Sequence, residues 1–184
     1  MLDGSVAAAP ASVNLSSEGS LDWAHWGLEN ETSFNHKKNV TQQISDFMEI
    51  GDKDPAWYVG TGVLYSWTGG TPVSSFTSAY TSICITGKNN GFQITVPADT
   101  VEKTLRVYVG AWSAKGKLEA VLTGGNTPKY IEYVDAKSGA VNKVFTLDFK
   151  AVSDDEKLVV RYTIDEAYNK TMGNISLQAA TLKK

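Results

Sequence analysis

Two histidines, one cysteine and twenty carboxylates are all that this 184-residue chain offers for acid–base, nucleophilic or metal chemistry. The densest cluster is Leu21–Gly27, LDWAHWG, which sets Asp22 and His25 between Trp23 and Trp26. A serine could complete a triad there, but no GxSxG turn is present to hold one. His36 stands in FNHKKN, beside Lys37 and Lys38, with no second histidine or carboxylate in the motif to work with it. Cys84 lies between Ile83 and Ile85 and reads as a packing residue. Glu119 and Glu132 flank the TGGNTP turn on segments that could pair. Both read as outward-facing, and a retaining glycosidase needs its carboxyls about 5.5 Å apart. A register slip of one residue would send the two to opposite faces. CxxC, HExxH and phosphate-loop patterns are absent. The expected protein is not an enzyme.

The aromatic residues suggest a different chemistry. A pyranose ring offers a patch of C–H bonds that stacks on a flat aromatic face, while neighbouring amides, carboxylates or guanidinium groups bind its hydroxyls. Trp57 and Tyr58 follow Asp52 and Asp54, and Trp67 adjoins the Gly69–Gly70 turn. Arg106, Tyr108 and Trp112 fall at even spacing on the polar side of one strand. Trp26 precedes Gly27 at the mouth of a loop. These seven are the candidate ligand contacts. Each tryptophan would serve equally well as outer packing at the end of a sandwich, and the sequence leaves both roles open.

These side chains must be held by strands. FQITVPA, LRVYVGAW, KLEAVL, KVFTLDFKA, KLVVRYTI and NISLQAATL alternate apolar and polar residues, the pattern of strands with one covered face. In the last of them, Ile175, Leu177 and Ala179 are expected inward. Turns such as GKNNG, TGGNTP, DAKSG and NKTMGN separate the runs. Treated as a strand, LDWAHWG places Leu21, Trp23 and His25 on one side and Asp22, Ala24 and Trp26 on the other. Leu21 and Trp23 are the expected inward pair. VTQQISDFMEI, residues 40–50, is the one stretch with helical spacing, and it fits a strand plus a turn as well. Residues 27–72 read as long loops between short strands, where binding residues tend to sit. The fold class is all-β: an antiparallel β-sandwich of jelly-roll type with at most one short helix. Residues 1–12 are expected to be a linker or tail, and 13–184 a single domain.

Composition narrows the partners. A net charge of −3 with scattered lysines gives no basic surface for nucleic acid. No apolar run reaches the roughly 20 residues needed to cross a bilayer. A lone cysteine excludes an internal disulfide.

Several stretches together, LSSEGSLDWAHWG, FNHKKN, YSWTGGTP, NGFQITVPADTVEKTLRVYVGAWSAKGKLEAVL and GNISLQAATL, resemble the galactose-binding-like jelly rolls, a group that includes many carbohydrate-binding modules. The resemblance spans residues 13–182 and implies a non-catalytic module of a secreted or cell-surface bacterial protein. Such a module would bind a glycan and anchor a larger chain to polysaccharide. The alternatives are a structural or adhesive spacer and a small glycan-active enzyme. No cofactor is implied beyond a structural calcium near the N-terminal strand. Glu18, Asp22, Glu29 and Asn30 are its candidate oxygen donors.

Overall fold

The computed structural model describes residues Met1–Lys184. In chain order the elements begin with β1 (Leu2–Ala8), β2 (Ser12–Asn14), a single helical turn α1 (Leu15–Glu18), β3 (Asp22–Trp26), β4 (Phe34–Lys37) and β5 (Met48–Ile50). Next come β6 (Ala56–Val59), β7 (Leu64–Thr68), β8 (Gly70–Thr71), β9 (Ser75–Ala79), β10 (Thr81–Thr86) and β11 (Gly91–Ala98). The chain closes with β12 (Lys103–Leu122), β13 (Tyr130–Phe149), β14 (Glu156–Ala167) and β15 (Asn174–Lys183). The fold is an all-β sandwich whose antiparallel sheets curl into a half-barrel.

The β12–β13 hairpin organises the molecule. Each strand runs for 20 residues, well beyond the usual strand length of about 3–10. It bends where the register breaks between Trp112 and Ala114, with Ser113 at φ 45°. A bulge of this kind kinks a strand and increases its twist, so one hairpin can serve two layers. Beyond the bend, β12 pairs with β14, which pairs with β11 and then β5. Before it, β12 pairs with β15. The far edge of β15 carries β10 along one half and β3 along the other, and β6 and β4 extend the sheet from these.

The main core lies between the two layers. Ile94, Leu118, Leu158 and Val160 face Val107, Phe145, Leu147 and Leu177 across it, all essentially inaccessible to water. A second core lies on the opposite side of the β12–β15 layer. There the small sheet β2–β7–β9 covers Trp23, Tyr108, Val144 and Ala179 with Val13, Tyr65, Trp67 and Ala79.

The structure differs from the sequence expectations at four places. Within β3 the two faces separate as the alternation requires, but both are covered: Ala24 and Trp26 enter the main core and Trp23 the second, while Leu21, expected inward beside Trp23, precedes the strand and packs against the main core instead. In β15 the register shifts opposite Tyr108 and Val109, leaving Gln178 as the extra residue. Ile175 and Leu177 therefore face inward as expected, whereas Ala179 turns out and Ala180 and Leu182 take its place. Residues 40–50 form no helix; Ile44 is buried in a loop and Met48–Ile50 form an edge strand. The single helical turn is elsewhere, at Leu15–Glu18. Residues 2–8, expected in a tail, pair with β13 from Leu2↔Phe149 to Ala8↔Lys143.

Candidate functional site

The small sheet covers only part of the layer it packs on. Toward the bend of the hairpin, the outer face of β6, β10, β15, β12 and β13 lies beyond the small sheet, with Tyr58, Trp112, Asn142 and Asn174 half-buried and Gly110 and Ser176 buried beneath them. Trp112 stands opposite Asn174 on one neighbour and Ala140 on the other, while Gly110 lies between Ser176 and Asn142. Tyr58, on the edge strand β6, closes the far side, so Tyr58 and Trp112 border one shallow notch with Gly110 as part of its floor. A Cβ on residue 110 would lie 2.5 Å from Ser176 Oγ and 2.9 Å from Asn142 Oδ1, so any larger residue there would displace these side chains.

The polar groups of the notch are held from behind. Gln178, placed by its bulge, donates from Nε2 to Asn142 Oδ1 at 2.8 Å and accepts at Oε1 from the Tyr65 hydroxyl at 2.6 Å. Asn174 Nδ2 donates to Met172 O at 2.9 Å. These bonds leave the Asn142 amide donors and the Asn174 carbonyl available to a ligand. The notch itself holds about 10 Å³, room for a single water. A ligand would lie across this face rather than sink into it.

A larger hollow of about 190 Å³ opens on the other side of β6, lined by Leu28, Trp57, Val59, Phe76, Tyr80 and neighbouring residues. Trp57 is 46% exposed, the most accessible tryptophan placed in a hollow. Its chemistry is one-sided. Trp57 Nε1 donates to Gly27 O at 3.0 Å and Thr81 Oγ1 to Leu28 O at 3.2 Å, so these polar hydrogens are already satisfied. The wall is backed by the Phe76 ring stacked on Trp67, with centroids 5.6 Å apart. This hollow suits apolar contact but is poorly equipped to bind hydroxyl groups.

The seven candidate contacts thus separate. Tyr58 and Trp112 come together, and Trp57 stands in the apolar hollow. Trp26 is buried, with its Nε1 donating to Asp46 Oδ1 at 2.9 Å. Trp67 is buried and donates to Val73 O at 3.0 Å. Tyr108 is buried and Arg106 is half-exposed; both are engaged by Glu18. Glu18 Oε1 accepts from Tyr108 at 2.7 Å and from Thr181 at 2.6 Å, and its Oε2 accepts from Arg106 Nη1 at 2.9 Å. Burial first, and then the bond to Glu18, push the Tyr108 hydroxyl well above the usual phenol range.

The four proposed calcium donors do not converge either. Asp22 is buried and accepts from the backbone N–H groups of Trp23, Gln43 and Ile44, which fixes the 40s loop. Asn30 Oδ1 accepts from Thr32 and Ser33 within an exposed turn that also holds Glu29. No three histidine, cysteine or carboxylate side chains meet in metal-binding geometry. Glu119 and Glu132 fall in the slipped register, Glu119 opposite Ile131 and Glu132 opposite Leu118. They therefore belong to opposite faces and cannot work as a pair.

Sequence reasoning missed Asn142, Asn174 and Ser176 in the notch and Phe76 and Tyr80 in the hollow. The first three are cross-strand neighbours of Gly110 and Trp112, a relation that exists only once the register is known.

No family model and no curated protein matches the sequence. Among solved structures it is similar to the CBM22-1 xylan-binding domain of Paenibacillus barcinonensis Xyn10C, at 14% identity over 87% of this chain and 91% of that one, TM-score 0.48. It is also similar to Clostridium thermocellum endo-1,4-β-D-xylanase 10B, whose CBM22-1–GH10 modules were solved with xylohexaose (10% identity, TM-score 0.46). That match covers 75% of this chain but only 26% of the xylanase chain. A third is TmCBM61 in complex with β-1,4-galactotriose, at 8% identity over 76% of this chain and 89% of that one, TM-score 0.42.

Proposed function

We propose that this chain is a non-catalytic glycan-binding module that lays its ligand across the open face bordered by Tyr58 and Trp112. One observation carries the reading: the uncovered part of the sheet brings two aromatic rings and two part-free amides to a floor without side-chain bulk. The aromatic rings would take the apolar side of a sugar, and Asn142 and Asn174 would take its hydroxyls. In a secreted or cell-surface bacterial protein, such a module would hold its neighbouring domains near polysaccharide.

Affinity electrophoresis through soluble polysaccharides tests this. Xylan and β-1,4-galactan come first, because ligands of those types are named with the similar chains. Retardation is expected, and Trp112→Ala should weaken it at least tenfold, about 1.4 kcal/mol. Trp57→Ala, in the apolar hollow, should leave it unchanged. If the wild type migrates freely through a broad panel, the chain is a spacer. If Trp57→Ala alone abolishes retardation, the site lies in the hollow.

A further inference from the structure

Given that reading, we infer that the glycan is an uncharged one and that the face selects against uronates and other acidic sugars. None of the residues lining the notch carries a carboxylate, ammonium, guanidinium or imidazole group. The polar contacts on offer are the amides of Asn142 and Asn174 and the hydroxyl of Tyr58, whereas Thr61 is buried with its hydroxyl donating to Val63 O at 2.8 Å and Ser176 is buried with its hydroxyl accepting from Gln178 Nε2 at 3.3 Å. These groups serve a sugar hydroxyl well. They give a carboxylate no countercharge once the ring has displaced its water, and an unpaired charge moved out of water is costly.

The nearest cation along β12 on this face does not change the balance. Arg106 is bound to Glu18 Oε2 at 2.9 Å, so its charge is already neutralised locally. The opposite outer surface shows that the uncharged character is local to this face. On the β12–β14 layer, Lys115 meets Asp165 at 3.3 Å and lies over the Tyr133 ring at 4.2 Å, while Glu119 holds Lys129 at 3.1 Å. The whole chain is also anionic, at −3, which adds long-range repulsion toward a polyanion.

The test uses matched polymers: soluble β-1,4-galactan and β-1,4-glucan, each beside the same polymer oxidised at C6 to its uronate. The wild-type protein should bind the oxidised form at least tenfold more weakly than its neutral parent. Binding to the neutral polymer should not change between about 0.05 and 0.5 M salt, because no ion pair is formed to be screened. Ala140→Lys places a cation at the exposed rim without removing an existing bond, and should narrow the gap at low salt only. Equal or tighter binding of the oxidised polymer by the wild type would overturn the selectivity and leave glycan binding standing. Failure to bind either form, or xylan, would overturn the binding reading itself.

Discussion

His25 is buried at 0% exposure between the Tyr65 and Trp67 rings, 5.5 and 5.1 Å away, with no well-formed hydrogen bond to either ring nitrogen and only the Thr81 backbone near enough to favour its charged form. Burial lowers its pKa from 6.5 to about 3. The unfolded chain therefore takes up a proton that the folded chain refuses. The stability this contributes is fully present above pH 6.5 and is lost as the pH falls toward 3. At pH 4 the loss from this residue alone should be about 3 kcal/mol, at 1.36 kcal/mol per pH unit. Urea denaturation of the wild type and His25→Phe from pH 7 to pH 4 checks it. The variant should lose distinctly less stability on acidification, and parallel curves would exclude His25 as the source. Alternation alone placed His25 and Trp23 on one side of their strand, which the structure keeps. It could not say that this side meets a second protein layer, because apolar–polar spacing is blind to what covers the polar face. The same blindness left Tyr108 and Trp67 as candidate ligand contacts when both are packing residues.

At the scale of elements, the contact between α1 and the β12–β15 sheet turns on Glu18, which ties a single helical turn to Arg106, Tyr108 and Thr181 on two strands. Glu18→Gln keeps the shape and removes the charge that strengthens three hydrogen bonds. Its expected cost is about 1–2 kcal/mol, within the range for bonds to charged groups. Tyr108→Phe should cost a similar amount alone, and the double variant clearly less than the sum, because the two share one interaction. Strict additivity in urea denaturation would show that the bond contributes nothing. The even spacing of Arg106, Tyr108 and Trp112 was legible as a shared face, and all three do lie on it. Their different fates depend on Glu18, 88 residues away from Arg106, and on where the small sheet stops. Similarly, the alternation of β15 was readable up to Leu177. The bulge at Gln178 was not, because nothing in LQAATL distinguishes an extra residue from a paired one.

For the molecule as a whole, the sandwich was readable from six alternating runs and the turns between them. Its limits at the N-terminus were not. MLDGSVAAAP has the small-residue composition of a linker, yet Leu2 and Val6 pack on the main core while β1 pairs with β13 over seven residues. Composition reports what a segment could bury alone; it does not report a waiting sheet edge with Phe145 and Phe149 beneath it. Removing residues 1–9 should therefore destabilise the domain. Two half-buried apolar side chains contribute about 1 kcal/mol each. Uncovering the ladder and the aromatic residues below adds to this, and the chain entropy recovered by a free terminus offsets part of it. The expected net loss is about 2–4 kcal/mol in urea denaturation. The bared edge of β13 would then present unpaired backbone groups, a template for strand addition. Size-exclusion chromatography of the shortened chain should accordingly show dimers or larger species that the full chain does not form. Unchanged stability together with a monomeric profile would mean that β1 is only laid against the sheet and that the domain begins at β2.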